Sequence, residues 1–223
     1  MTIQLIEKAF RQTAIGWLVS CSLFVAFLPI TANAQQTAAD FNNRGVALEK
    51  EGALDKAIEQ YRAAVQLDPA DAIAHYNLAN ALRKAGNLED AIPEFRTALR
   101  FYPDDFKLHD NLGYLLYRKG DLAGAIPEFR EAVRLEPKDL IGHYNLGIIF
   151  TKTGDLDAAI AALRTALQLD PKDSVMHVAL GNALEAKADF SSALNEYRLA
   201  VELDPTSTMA KSSLDSLSNQ AQK

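Results

Sequence analysis

All four histidines of this 223-residue chain, His75, His109, His143 and His177, are spaced 34 residues apart. A column of imidazoles suggests two chemistries, metal ligation and proton transfer. Zinc needs nitrogens converging on one point at about 2.0–2.1 Å. Residues placed one per 34-residue unit sit instead on separate helices, whose axes pack roughly 8–10 Å apart. Four of them cannot share one ion, and the single cysteine, Cys21, adds no ligand set. Each histidine stands three residues before a leucine (Leu78, Leu112, Leu146, Leu180). That spacing puts it on an apolar helix stripe and predicts a packing role. There is no phosphate-binding loop, dinucleotide fingerprint or nucleophile elbow. The sequence therefore predicts no enzyme activity, no metal and no cofactor.

A second polar set recurs with the same period. Asn43, Asn77, Asn111 and Asn145 occupy one column, which ends in Ala179. Seven residues on, Lys50, Lys84, Arg118 and Lys152 form another, which ends in Ala186. Seven residues are close to two helical turns, so both columns fall on nearly one line. At 100° per residue, Tyr76, Tyr114, Tyr117 and Tyr144 face the same way. An asparagine amide offers one acceptor and two donors, the complement of a peptide backbone. Tyrosines add amphipathic contact area at low entropic cost. With Arg83 and Lys107 the basic groups on this face number six, against Glu49, Glu185 and Asp110. The face is thus positive on a chain of net charge −6, which favours an acidic or C-terminal carboxylate ligand. The expected partner is an extended, acidic segment of another protein. Two other readings of the same residues are an array that self-assembles end to end and a carbohydrate-binding surface.

These columns require elements that repeat in register. Pro69, Pro103, Pro137, Pro171 and Pro205 are 34 apart, as are Ala57, Ala91, Ala125, Ala159 and Ala193. Five units follow without insertion: 38–71, 72–105, 106–139, 140–173 and 174–207. Each reads as two helices. His75, Leu78, Ala79 and Leu82 have the i, i+3, i+4, i+7 spacing of an amphipathic helix, which Gly86 ends. A second helix carries Ala91, Phe95 and Ala98 and stops near Pro103. Gly52, Gly120 and Gly154 repeat the inter-helix signal, and Ala188 lacks it in the fifth unit. Pro93 and Pro127 are expected in the opening turns of second helices, and Asp121, Asp155 and Asp189 as N-caps. Residues 208–223 place Met209, Ala210, Leu214 and Leu217 at helical spacing and predict a capping helix over the last unit.

The small residue at unit position 8 (Gly45, Ala79, Gly113, Gly147, Gly181) recurs with a large apolar residue at 24 (Tyr61, Phe95, Phe129, Leu163, Tyr197). Alanine recurs at 20, alanine again at 27 (Ala64, Ala98, Ala132, Ala166, Ala200), and proline at 32. This pattern resembles the tetratricopeptide repeat. The family's frequent tryptophan at position 4 is replaced by Phe41 and the four histidines. The resemblance implies an all-α fold: a right-handed α-solenoid of five helix-turn-helix repeats plus the C-terminal capping helix. It also implies a concave groove lined by the first helices, and non-enzymatic binding of other proteins. The carboxylate-clamp arrangement of chaperone-binding relatives is not reproduced. Asn77 and Lys107 match parts of it, but Asn42, Val46 and Asn111 stand where other clamp residues belong.

The first 34 residues read as an address. Lys8 and Arg11 form a basic region, Trp17 to Ile30 carry no charge, and Ala32-Asn33-Ala34 supply small residues before Gln35. These are the parts of a secretory signal peptide cleaved between Ala34 and Gln35. Two alternatives are an uncleaved anchor over residues 14–32 and lipidation of Cys21, since Leu18-Val19-Ser20-Cys21 resembles a lipobox. The uncharged run is short for a span of about 20 residues, and Leu23 to Leu28 stay apolar after Cys21. Both features favour cleavage. Removing Glu7, Lys8 and Arg11 leaves a net charge of −7 and a chain without cysteine, suited to the periplasm or the cell exterior. A net negative chain has no global attraction for nucleic acid. After cleavage no membrane span is expected, and the chain should be a monomer or weak oligomer.

Overall fold

In a computed structural model, residues 36–220 are described, and from Thr37 onward they belong to one compact unit. The signal segment, Cys21 and the Ala34–Gln35 junction lie outside the described residues. Eleven α-helices and no strands make up the described chain. Five antiparallel pairs follow one another: α1 (Ala38–Lys50) with α2 (Leu54–Leu67), α3 (Ala72–Lys84) with α4 (Leu88–Phe101), and α5 (Phe106–Lys119) with α6 (Leu122–Leu135). Then come α7 (Leu140–Thr153) with α8 (Leu156–Leu169) and α9 (Ser174–Ala186) with α10 (Phe190–Leu203). A last helix, α11 (Thr208–Gln220), packs on α10 and α9. Each second helix packs on the first helix of the next pair, which makes an α-solenoid. First helices of neighbouring units also touch (α1–α3, α5–α7, α7–α9), so that side is the concave one.

The helix ends follow from local chemistry. Asp71, Asp105, Asp139 and Asp173 accept backbone N–H bonds at the starts of α3, α5, α7 and α9. Asp121, Asp155 and Asp189 do the same for α6, α8 and α10. Between the helices of each pair the chain turns through a left-handed residue: Gly52, Gly86, Gly120 and Gly154 have φ of +79 to +89°, and Ala188 takes the same place at φ +65°. The fifth turn therefore keeps its geometry without glycine, at a cost of roughly 1–2 kcal/mol for a residue bearing a Cβ. Pro93 and Pro127 correct the expectation for them. Each is the sixth residue of its helix, past the opening turn. There a proline removes one hydrogen bond to the carbonyl four residues back.

The packing explains the size pattern. A Cβ on Gly113 would lie 3.0 Å from the ring of Phe129, and one on Gly147 would collide with Leu163. A small residue at position 8 thus admits the large residue at position 24 of the same unit. Phe95, Leu163 and Tyr197 are fully buried as a result. In the capping helix Ala210 and Leu217 are buried, but Met209 is 47% exposed. Met209 occupies unit position 2, where Ile73, Ile141 and Val175 are also exposed, so it faces away from the packing seam. No helix among the described residues is long and apolar enough to cross a membrane.

Candidate functional site

The histidines do more than pack. The Nε2 atoms of His75, His109, His143 and His177 lie 2.9–3.1 Å from the carbonyls of Pro69, Pro103, Pro137 and Pro171. A carbonyl only accepts, so each Nε2–H donates. In three units Nδ1 faces a carboxylate on the second helix: Glu94, Glu128 and Glu196, at 2.5–2.7 Å. His143 has Ala162 at the equivalent place. The hydrogen bond to Glu128 raises the pKa of His109 against the opposing effect of burial. Each ring thereby ties the preceding inter-repeat turn to its own unit. Among the described residues no group of three or more His, Cys, Asp or Glu could hold a metal ion.

The predicted groove residues stand on the first helices, and the structure gives them different duties. Asn77 donates to the Asn42 side chain at 2.9 Å, bridging neighbouring units. Asn111 donates to the Lys107 carbonyl of its own helix at 2.8 Å. Each keeps an acceptor and a second donor. Asn145 has no side-chain hydrogen bond among the described residues, and Asn43 is exposed. Lys84 pairs with Glu49, so part of the positive charge summed from sequence is neutralised within the groove. Arg118 donates to the Tyr114 hydroxyl at 2.7 Å and stacks on its ring, while Lys152 lies 4.8 Å from the Tyr117 ring centre. Lys50 and Lys107 are exposed. Tyr76 meets Phe95 edge-to-face. Burial, then the charge of Asp173, raises the pKa of the Tyr144 phenol.

Five of the predicted residues, Tyr76, Lys107, Asn111, Tyr114 and Asn145, line a single depression of about 380 Å³ where α3, α5 and α7 meet. Arg83, Phe106 and Ile141 complete its wall, with Asp110 and Asp139. Asp139 is the N-cap of α7 and is 93% buried, its Oδ2 accepting from the Gly142 N–H at 3.1 Å. A side chain at Gly142 would strike Asp139 and crowd Asp110 Oδ1, so the glycine makes room for two facing carboxyls. Burial, then the facing Asp139 carboxyl, pushes the pKa of Asp110 up to about 8. Asp110 therefore keeps its proton at neutral pH.

Arg83 is the other departure. In the first and fifth units the equivalent residues, Glu49 and Glu185, accept from the hydroxyls of Tyr61 and Tyr197 at 2.9 and 2.7 Å. The second unit has Phe95 in place of tyrosine and Arg83 in place of glutamate. Arg83 bonds Asn80 through Nη2, and its buried Nε–H has no acceptor. In the sequence Arg83 and Asp110 register only as charges, and Asp139 does not register at all. The available signal is the swap from Glu–Tyr to Arg–Phe between units.

A family model described as "Tetratricopeptide repeat" matches residues 42–106 and 111–174, and a second of the same description matches 150–217. No curated protein matches the chain. Among solved structures, YrrB, described as a TPR protein with an unusual peptide-binding site, is similar at 24% identity and a TM-score of 0.73. That match covers 83% of this chain and 95% of YrrB. MamA from Desulfovibrio magneticus RS-1 is similar at 23% identity and a TM-score of 0.72, over 77% of this chain and 97% of that one. TTC0263, a thermophilic TPR protein of Thermus thermophilus, matches at 25% identity and a TM-score of 0.57, over 81% and 98%.

Proposed function

The chain belongs to the tetratricopeptide repeat family, and from that premise we propose that it is a non-catalytic scaffold that holds an extended, acidic segment of a partner protein in its concave groove. One observation carries the reading: predicted groove residues from three successive first helices converge on one open depression. Asparagine amides with spare donors and acceptors suit a backbone, and tyrosine rings suit the side chains beside it. The exposed amines of Lys50 and Lys107 favour acidic residues. YrrB shows that this fold has been described with a peptide-binding site. The leader-like residues 1–34 support action in the periplasm or cell exterior.

The test is replacement of Asn77, Asn111 and Asn145 together by alanine. Each net hydrogen bond contributes about 0.5–1.5 kcal/mol, so binding of peptides selected on the native chain should weaken by about 1.5–4.5 kcal/mol. None of the three belongs to the buried core, so the helical fold should persist. Unchanged affinity would show that the column is inherited pattern and that ligands bind elsewhere.

A further inference from the structure

The depression between α3, α5 and α7 has chemistry that a generic peptide groove does not need. Its inner wall holds one buried donor without an acceptor, Arg83 Nε–H. It also holds Asp110 Oδ1, which is buried and has no hydrogen-bond partner. An orphaned buried donor loses its water partner without replacement, so an arriving acceptor is what the site lacks. Charge decides which acceptor. With Asp110 holding its proton, the two aspartates carry no more than one negative charge, set against Arg83. Lys107 stands at the water-exposed rim of the depression, where solvent screens its charge. A ligand carboxylate would be desolvated beside the aspartates with only that screened cation to receive it. A carbonyl oxygen takes the Arg83 hydrogen bond without that cost. The NH2 beside it finds acceptors in the Asp110 carboxyl and in the unengaged Asn145 amide.

We propose that this depression is a specificity subsite for a carboxamide side chain, glutamine or asparagine, of the segment held in the groove. The proposal rests on the peptide-groove reading and adds the residue class that sets register. The methylene stem lies along Tyr76 and Tyr114, and about 380 Å³ is ample for it. Acidic residues of the ligand then belong to the flanks. Ionisation of Asp110 adds a second negative charge, so rejection of a carboxylate sharpens as pH rises. The groups facing Asp110 are Asp139 from α7, His109 and Lys107 from its own helix, and Arg83 from α3.

Three blocked peptides with acidic flanks test this on the full chain by NMR titration: acetyl-Asp-Ala-Gln-Ala-Asp-amide and its isosteric Glu and its Ala counterparts at the central residue. The glutamine peptide should bind at least tenfold tighter than the glutamate peptide at pH 7, with a wider gap at pH 9. Arg83→Met should erase the advantage of glutamine over alanine, and Asp110→Asn should narrow the gap between glutamine and glutamate. Far-UV spectra of both variants separate loss of the subsite from loss of the fold. Glutamate binding as well as glutamine, or alanine binding as well as either, would overturn the subsite while leaving the groove intact. Failure of all three to bind would overturn the groove reading, and the subsite with it.

Discussion

Asp110→Asn should make the protein more stable, and the gain should depend on pH. In the folded chain burial and Asp139 hold the Asp110 pKa up at about 8, against an ordinary 3.8. The unfolded chain ionises freely above its ordinary value, whereas the folded chain must keep the proton or bear the charge. The stability this group confers is fully present below pH 3.8 and is lost as pH rises to about 8. About four pH units at 1.36 kcal/mol each set a ceiling of about 5–6 kcal/mol. Asp110 opens onto the depression and can relax toward water, so the expected effect is about 1–3 kcal/mol. Asparagine has nearly the same shape, does not titrate, and can donate to Asp139. Urea unfolding of both chains at pH 4, 6, 8 and 9 should show curves that coincide at the acid end and separate progressively above it. A variant less stable than the native chain at pH 8, or a difference independent of pH, would refute the claim that burial holds the Asp110 proton.

Two further perturbations address other parts of the fold. Ala188→Gly relieves the left-handed strain at φ +65° but adds unfolded-state entropy; thermal melts should show a net gain of about 0.5–1 kcal/mol. Glu128→Gln removes the negative charge behind the hydrogen bond that raises the His109 pKa. The bond's stabilisation is present below the ordinary 6.5 and fades as pH rises through the raised value. The variant should therefore be weaker by about 1.5–3 kcal/mol near pH 5.5 and match the native chain in alkaline buffer; a constant deficit would show a packing role alone.

The repeat period and the pairing of a small residue at position 8 with a large one at 24 were legible because both are local sequence columns with one steric cause. Gly113 under Phe129 is that cause made visible. The histidine column was legible as a column, but its chemistry was not. Glu94, Glu128 and Glu196 stand 19 residues on, across a turn, and meet the rings only once two helices are placed antiparallel. Asp139 was hidden for a different reason. It is also an N-cap, like Asp71, Asp105 and Asp173, so its type was already explained by local structure. What sets it apart is the neighbouring unit: Asp110 faces it across the space that Gly142 leaves. Likewise Lys84 read as a free groove cation, and only the packing of α1 beside α3 reveals its pairing with Glu49. Cross-unit contacts of this kind depend on how repeats stack, which a single unit's pattern does not specify.

The most direct test of the account is to locate a bound peptide. Peptides selected from a random displayed library on the full chain would be cross-linked from a photoreactive residue placed either at Tyr114, in the groove, or at Arg164, exposed on a second helix. The concave-groove account predicts cross-links from position 114 and none from position 164. Cross-links from 164 with position 114 silent would contradict it.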